Sequence, residues 1–184
     1  MAELFQNKYR IESARLKGWD YGSNRYYFVT ICTNNRTHFF GRIQNDIMCL
    51  NEIGTIAYQC WLEIPNHFPF VVPDEFVIMP NHVHGIVHID KNTHHAIVET
   101  PNLGVSTMHH SHHWKPGNLG VIINQYKRAC TIQCRKLGSD FAWQPRFHDR
   151  VIRDESELNR IREYIQNNPM KWWRDRNNPN GLWM

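Results

Sequence analysis

The chain has 184 residues, of which 41% are hydrophobic and 12% aromatic; that is long enough to bury one core, short for two and too apolar for disorder, so a single domain over 1–184 is expected. No apolar run approaches the ~18 residues of a membrane span, MAELFQNKYR lacks the apolar segment of a secretory signal, and five cysteines with no CxxC pair (Cys32, Cys49, Cys60, Cys130, Cys134) fit a reducing cytoplasm better than a disulfide framework. Charge is uneven: residues 1–113 hold 8 Lys/Arg and 10 Asp/Glu, residues 114–184 hold 13 and 7, so the basic C-terminal part carries a net +6, which suits either a polyanionic partner or a solvated basic surface.

In chain order, YYFVTICT (26–33) is aromatic and β-branched and predicts a strand. DIMCLN (46–51) is a short partner after a connection holding Gly41. NEIGTIAYQCWLEIPNHF places Ile53, Ile56, Ala57, Cys60 and Trp61 near helical spacing, with Asn51 as N-cap and Pro65 as stop. DEFVIMP and HVHGIVHI read as two strands joined at Pro80-Asn81. Residues 90–117 are polar and His-rich, including His94, His95 and HHSHHW (109–114), and predict a surface loop and not a site. A second long helix over NLGVIINQYKRACTIQCRKLG carries Leu119, Ile122, Ile123, Tyr126, Ala129, Cys130 and Gln133 along one side and stops at Gly138. RFHDRVIR predicts a strand, and DESELNRIREYIQNNP a helix opened by the Asp154/Glu157 capping pattern and closed before Pro169. The tail 170–184 stays unassigned. This order suggests an α+β fold, a ferredoxin-like (RRM-like) antiparallel sheet with helices on one face.

Two features carry chemistry. On a strand, His82 and His84 point to one side while Val83 points to the other. Imidazoles about 7 Å apart along one face can converge on a metal ion, although a partly exposed face also tolerates histidine, and His88 shares it. In the last helix, Leu158, Ile161 and Ile165 form an apolar stripe. Tyr164 sits at its edge and Asn168 one turn on, a pattern equally suited to a packing tyrosine and a plain helix stop.

Together MPNHVHGIV, QYKR and WQPRFHDRVIRDESELNRIREYIQNNPMKW resemble the REP-associated tyrosine transposases and their single-tyrosine insertion-sequence relatives on the HUH nuclease fold. RYYFVTICTNNRTHFFG resembles that family's opening strand, and the likeness spans about 25–173. It implies that His82 and His84 bind a divalent metal, Mg2+ or Mn2+, that Asn168 is a polar third ligand, and that Tyr164 is the nucleophile. It further implies single-stranded DNA beside a hairpin as substrate, cut through a 5′-phosphotyrosine, by a monomer or a homodimer that exchanges its tyrosine helix. Lys127, Arg128, Arg146 and Arg150, with Arg135 and Arg153, are candidate phosphate contacts, Lys127 a candidate helper of Tyr164, and Trp143 a stacking surface or a core residue. The rivals are a non-catalytic DNA-hairpin-binding descendant, and an RNA-recognition module, which would leave the histidine pair unexplained.

Overall fold

The computed structural model describes residues 15–16, 18–92, 117–175 and 177–178. The predicted His-rich loop falls mostly on 93–116, outside the described residues. Strand β1 (Arg25–Cys32) is followed by a hairpin of β2 (Gly41–Gln44) and β3 (Ile47–Leu50). Asn45 and Asp46 both take positive φ (49° and 62°), the two-residue turn whose twist matches a tight hairpin. Helix α1 (Glu52–Leu62) and a short α2 (Ile64–His67) lead into β4 (Val71–Met79) and β5 (His82–Ile89). Then come α3 (Leu119–Lys136), β6 (His148–Val151), α4 (Glu155–Gln166) and a 3-10 helix, Pro169–Arg174.

The main sheet runs β4-β5-β1-β6, every neighbouring pair antiparallel. This is the ferredoxin-like order, with the first strand central. Tyr27, Val29 and Ile31 of β1 and Val83 and Val87 of β5 meet α1 and α3 on one face. There the Trp61 ring crosses so close to Gly85 that any Cβ would lie 2.3 Å from it, so only glycine lets α1 lie this close. The opposite face is covered too. Phe28, Val77 and Ile86 pack beneath Leu158, Ile161 and Ile165 of α4. The fold is thus as expected, with the third helix added on the far side. YYFVTICT has apolar residues on both pleats, as a strand covered twice requires.

Local chemistry sets the element ends. Asn51 Oδ1 accepts from Gly54 N (2.9 Å), and Asp154 Oδ1 accepts from Glu157 N (2.8 Å) while Glu157 Oε2 reaches back to Arg153 N (2.9 Å), one residue before the N-cap, a variant of the capping box. Gly138, at φ 73°, ends α3, while Gln133 is exposed and Cys134 takes the buried position beside Cys130. Two expected stops differ. α1 ends at Leu62, and Pro65 lies in the first turn of α2, where its missing N–H costs nothing. Asn168 is αR (φ −62°, ψ −42°) despite preceding proline, so the chain continues into the 3-10 helix. All five cysteines are free thiols, and no described helix is long and apolar enough to cross a membrane.

Candidate functional site

The site is built on the first residues of β5. β4 and β5 are joined by Pro80 and Asn81 alone, and Asn81 is fully buried. Its Nδ2 donates to the carbonyls of Arg36 (3.0 Å) and Asn177 (2.7 Å). Both amide hydrogens are thereby used, so Oδ1 is the acceptor facing His82 Nδ1 at 2.9 Å. Nδ1 of His82 therefore carries the proton, and Nε2 presents its lone pair. That nitrogen faces Asp175 Oδ2 at 3.9 Å.

His84 is oriented the same way. Its Nδ1 lies 2.9 Å from Thr30 Oγ1, directly across the β1–β5 pair, and its Nε2 lies 3.2 Å from the Tyr164 hydroxyl. A phenol donating to Nε2 would leave the proton on Nδ1 to be donated to Thr30, and the other tautomer reverses both bonds. The imidazoles stand edge to face, ring centroids 4.4 Å apart. His82, His84 and Asp175 each place one ligand atom within 4.8 Å of the others. Two imidazoles and one carboxylate form a donor set that fits a divalent cation.

Tyr164 reaches this group from α4 and is 41% exposed, so a substrate can approach its hydroxyl. α4 is tied to its own sheet: Arg162 grips Asp74 with Nε–Oδ1 2.9 Å and Nη2–Oδ2 2.6 Å, and Gln166 Nε2 donates to Glu75 Oε1 (2.8 Å). Both acids sit at the irregularity in β4 between Pro73 and Phe76, where a bulge re-aims side chains. Burial alone would push the Asp74 carboxyl up, but the Arg162 guanidinium and the Glu75 N–H outweigh it and hold it below its ordinary value. A depressed carboxylate contributes stability that is full above its unfolded-state pKa and is lost as pH falls through the folded one. Asp74→Ala should therefore lower stability at pH 7 by about 1–3 kcal/mol, with the gap from wild type closing as pH falls through the depressed carboxyl pKa. Thermal melts across pH check this.

Asp175 comes from the tail that the sequence leaves unassigned. The 3-10 helix carries it there, and Trp172 seats that helix with ring centroids 6.0 Å from His82 and 5.6 Å from His38. Asn168 is 2% exposed, and its Oδ1 has no hydrogen-bond partner among the described residues. The basic candidates scatter. Lys127 Nζ donates to the carbonyls of Gln144 (2.8 Å) and Arg146 (3.1 Å), not to Tyr164, and burial lowers its pKa. Arg128, Arg135, Arg146 and Arg153 are exposed, and Arg150 pairs with Glu157. Trp143 follows the core alternative: its ring packs on Phe40, Phe141 and Tyr126 at 5.0–5.8 Å, and its indole N–H donates to Lys127 O (3.1 Å). That cluster lies on the α1/α3 face, across the sheet from the histidines.

No family model matches the chain. An uncharacterized protein of Haemophilus influenzae Rd is 39% identical over 172 residues, spanning 89% of this chain and 90% of that protein. The chain belongs to that protein's family. A second protein of the same organism, named "Putative REP-associated tyrosine transposase", is 24% identical over 159 residues, 83% of this chain and 74% of its own. Among solved structures, that of a REP-associated tyrosine transposase bound to a REP hairpin superposes with a TM-score of 0.56 at 17% identity, over 94% of this chain and 74% of the other. The chain thus has the fold of that transposase, as the motifs led one to expect.

Proposed function

We propose that this protein is a metal-dependent single-stranded DNA endonuclease and strand transferase that acts at hairpin-flanked sites through a 5′-phosphotyrosine on Tyr164. The observation that carries this reading is the convergence of the Tyr164 hydroxyl on His84 Nε2 at 3.2 Å, beside His82 and Asp175. A phenol that is hydrogen-bonded to one imidazole of a buried pair, with a carboxylate within reach of both rings, supports a nucleophile set beside a metal site. The hairpin bound by the structural neighbour supports a folded DNA end as substrate.

His82, His84 and Asp175 would hold the cation, and Asn168, whose buried Oδ1 has no described partner, is a further candidate ligand. Mg2+ suits the carboxylate and Mn2+ accepts imidazole more readily. When bound, the ion supplies Lewis-acid polarisation of the scissile phosphate. Asn81 orients His82 so that Nε2 points towards Asp175, while His84 Nε2 meets the Tyr164 hydroxyl and would exchange that contact for the cation. The phenolic oxygen forms a bond to phosphorus as the bond to the 3′-oxygen breaks. The phenolic proton goes to solvent, and the departing 3′-oxygen takes one up. Because the phosphotyrosine retains the ester bond, an incoming 3′-hydroxyl can reverse the step and join strands. The contact of Tyr164 with His84 within one chain supports a single protomer as the acting unit.

The test is single-stranded hairpin DNA from the gene's flanks, labelled at either end and incubated with Mn2+, Mg2+ or chelator. A protein-linked 5′ end that needs the ion supports the proposal. Hairpin binding without cleavage in either metal would instead indicate a non-catalytic hairpin-binding protein.

A further inference from the structure

We propose that the cleft between α4 and the β1–β6 half of the sheet binds one unpaired nucleotide of the DNA strand, the one whose phosphate lies at Tyr164. This rests on the function proposed above and adds a subsite to it.

The cleft follows from how α4 is held. Asp74 and Glu75 draw the helix towards the β4 edge, so it packs chiefly over β4 and β5. The same face of β1 and β6 is left partly uncovered. There a cleft of about 420 Å³ opens, within the roughly 300–1,000 Å³ range of small-molecule sites.

Register explains its lining. Thr30 pairs with His84 on one side and with His148 on the other, so the three side chains form one row across the sheet. Phe28 likewise pairs with Arg150 of β6. Phe28 and Ile161 give the cleft an apolar surface, His148, Arg150 and Arg160 give it polar and cationic groups, and Tyr164 stands within its lining. The Phe28 ring also meets the Tyr164 ring edge-on at 6.1 Å.

The charges distinguish structural cations from candidate grips. Arg162 is committed to Asp74 and Arg150 to Glu157. Arg160 and His148 make no hydrogen bond or ion pair with any described residue, and both are exposed. The one acid in the lining, Asp149, pairs with Val29 in register and so turns its carboxylate to the opposite face, where Arg15 holds it at 2.8 Å. An apolar floor, cationic donors and no opposing carboxylate match a base with its phosphate. Continuity with Tyr164 and His84 makes that nucleotide a neighbour of the cleaved bond. Arg160 and His148 are binding residues in this scheme and take no part in bond making.

The experiment uses the full chain in chelator, where no cut occurs, and fluorescence anisotropy on two DNAs: a hairpin carrying its single-stranded flank, and the same hairpin without it. His148→Ala and Arg160→Ala should each weaken binding of the flanked hairpin about tenfold, a fraction of the worth of one stacked base. Binding of the bare hairpin should stay unchanged, and Arg160→Lys should recover part of the loss. Arg42→Ala, on β2, serves as the control and should match wild type. A 2-aminopurine beside the cut site should lose fluorescence on binding wild type and regain it with Arg160→Ala. If both alanine variants bind the flanked DNA as wild type does, the cleft is no nucleotide site, while cleavage by wild type would leave the proposed function standing. Equal losses on both DNAs would also overturn it, placing the two residues in hairpin binding. A wild type that neither binds nor cuts any flank hairpin defeats both proposals.

Discussion

Tyr164→Phe is expected to abolish the covalent protein–DNA adduct and reduce strand cleavage by at least about 10⁴-fold, because no other atom of the side chain can form the ester to phosphorus. The fold should survive. Tyr164 is 41% exposed, and its ring stays in place in the variant, so loss of the oxygen, which meets His84, should change stability by about 1 kcal/mol. The variant should also bind flanked hairpin DNA as wild type does, since the ring and its edge contact with Phe28 remain. The measurement is a denaturing gel of end-labelled hairpin with Mn2+, wild type and variant side by side, with melting curves for both. Residual cleavage without an adduct would point to water as the nucleophile. An adduct persisting in the variant would remove Tyr164 from the mechanism.

The parts of this site that were legible in the sequence are those set by short-range periodicity. HVH on a strand places two imidazoles on one side whatever the strand packs against. The Asp154/Glu157 cap and the Leu158–Ile161–Ile165 stripe together orient Tyr164 relative to α4's buried face. The parts that were not legible depend on long-range closure. Asp175 lies 93 positions after His82 and reaches it only because Asn168 stays helical before Pro169 and Trp172 seats against His38 and His82. Pre-proline statistics argue for a break there; burial of Asn168 overrides them. The Asp74–Arg162 clamp spans 88 positions and depends on a bulge in an edge strand. One signal was present but unused: the apolar pleats on both sides of YYFVTICT and of FVIM require cover on both faces, and α4 was the one helix left to supply it. Trp143 shows the converse limit, since the same residue type serves a stacking platform and a core, and only the positions of Phe40, Tyr126 and Phe141 decide.

Asn81→Ala is the change expected to damage the site most without touching any candidate ligand or nucleophile. It removes three interactions at once: the acceptor for His82 Nδ1–H and both donors to the Arg36 and Asn177 carbonyls. Each buried group left unsatisfied costs about 1–3 kcal/mol, so stability should fall by about 3 kcal/mol or more, and Tm by roughly 6–12 °C. The chemical effect is separate. Without a fixed acceptor, His82 is no longer confined to the tautomer that offers Nε2 towards Asp175, and loss of such an outer partner typically costs 10–100-fold in metal affinity. Release of the Asn177 carbonyl also loosens the segment that carries Asp175. Mn2+ titration followed by electron paramagnetic resonance, run well below the variant's Tm, separates the two effects. Lower stability with unchanged Mn2+ affinity would reduce Asn81 to a turn residue. Affinity lost in step with the Asp175→Ala variant, and not further lowered when both are replaced, would show that Asn81 acts by holding His82 and the Asp175 segment in one arrangement.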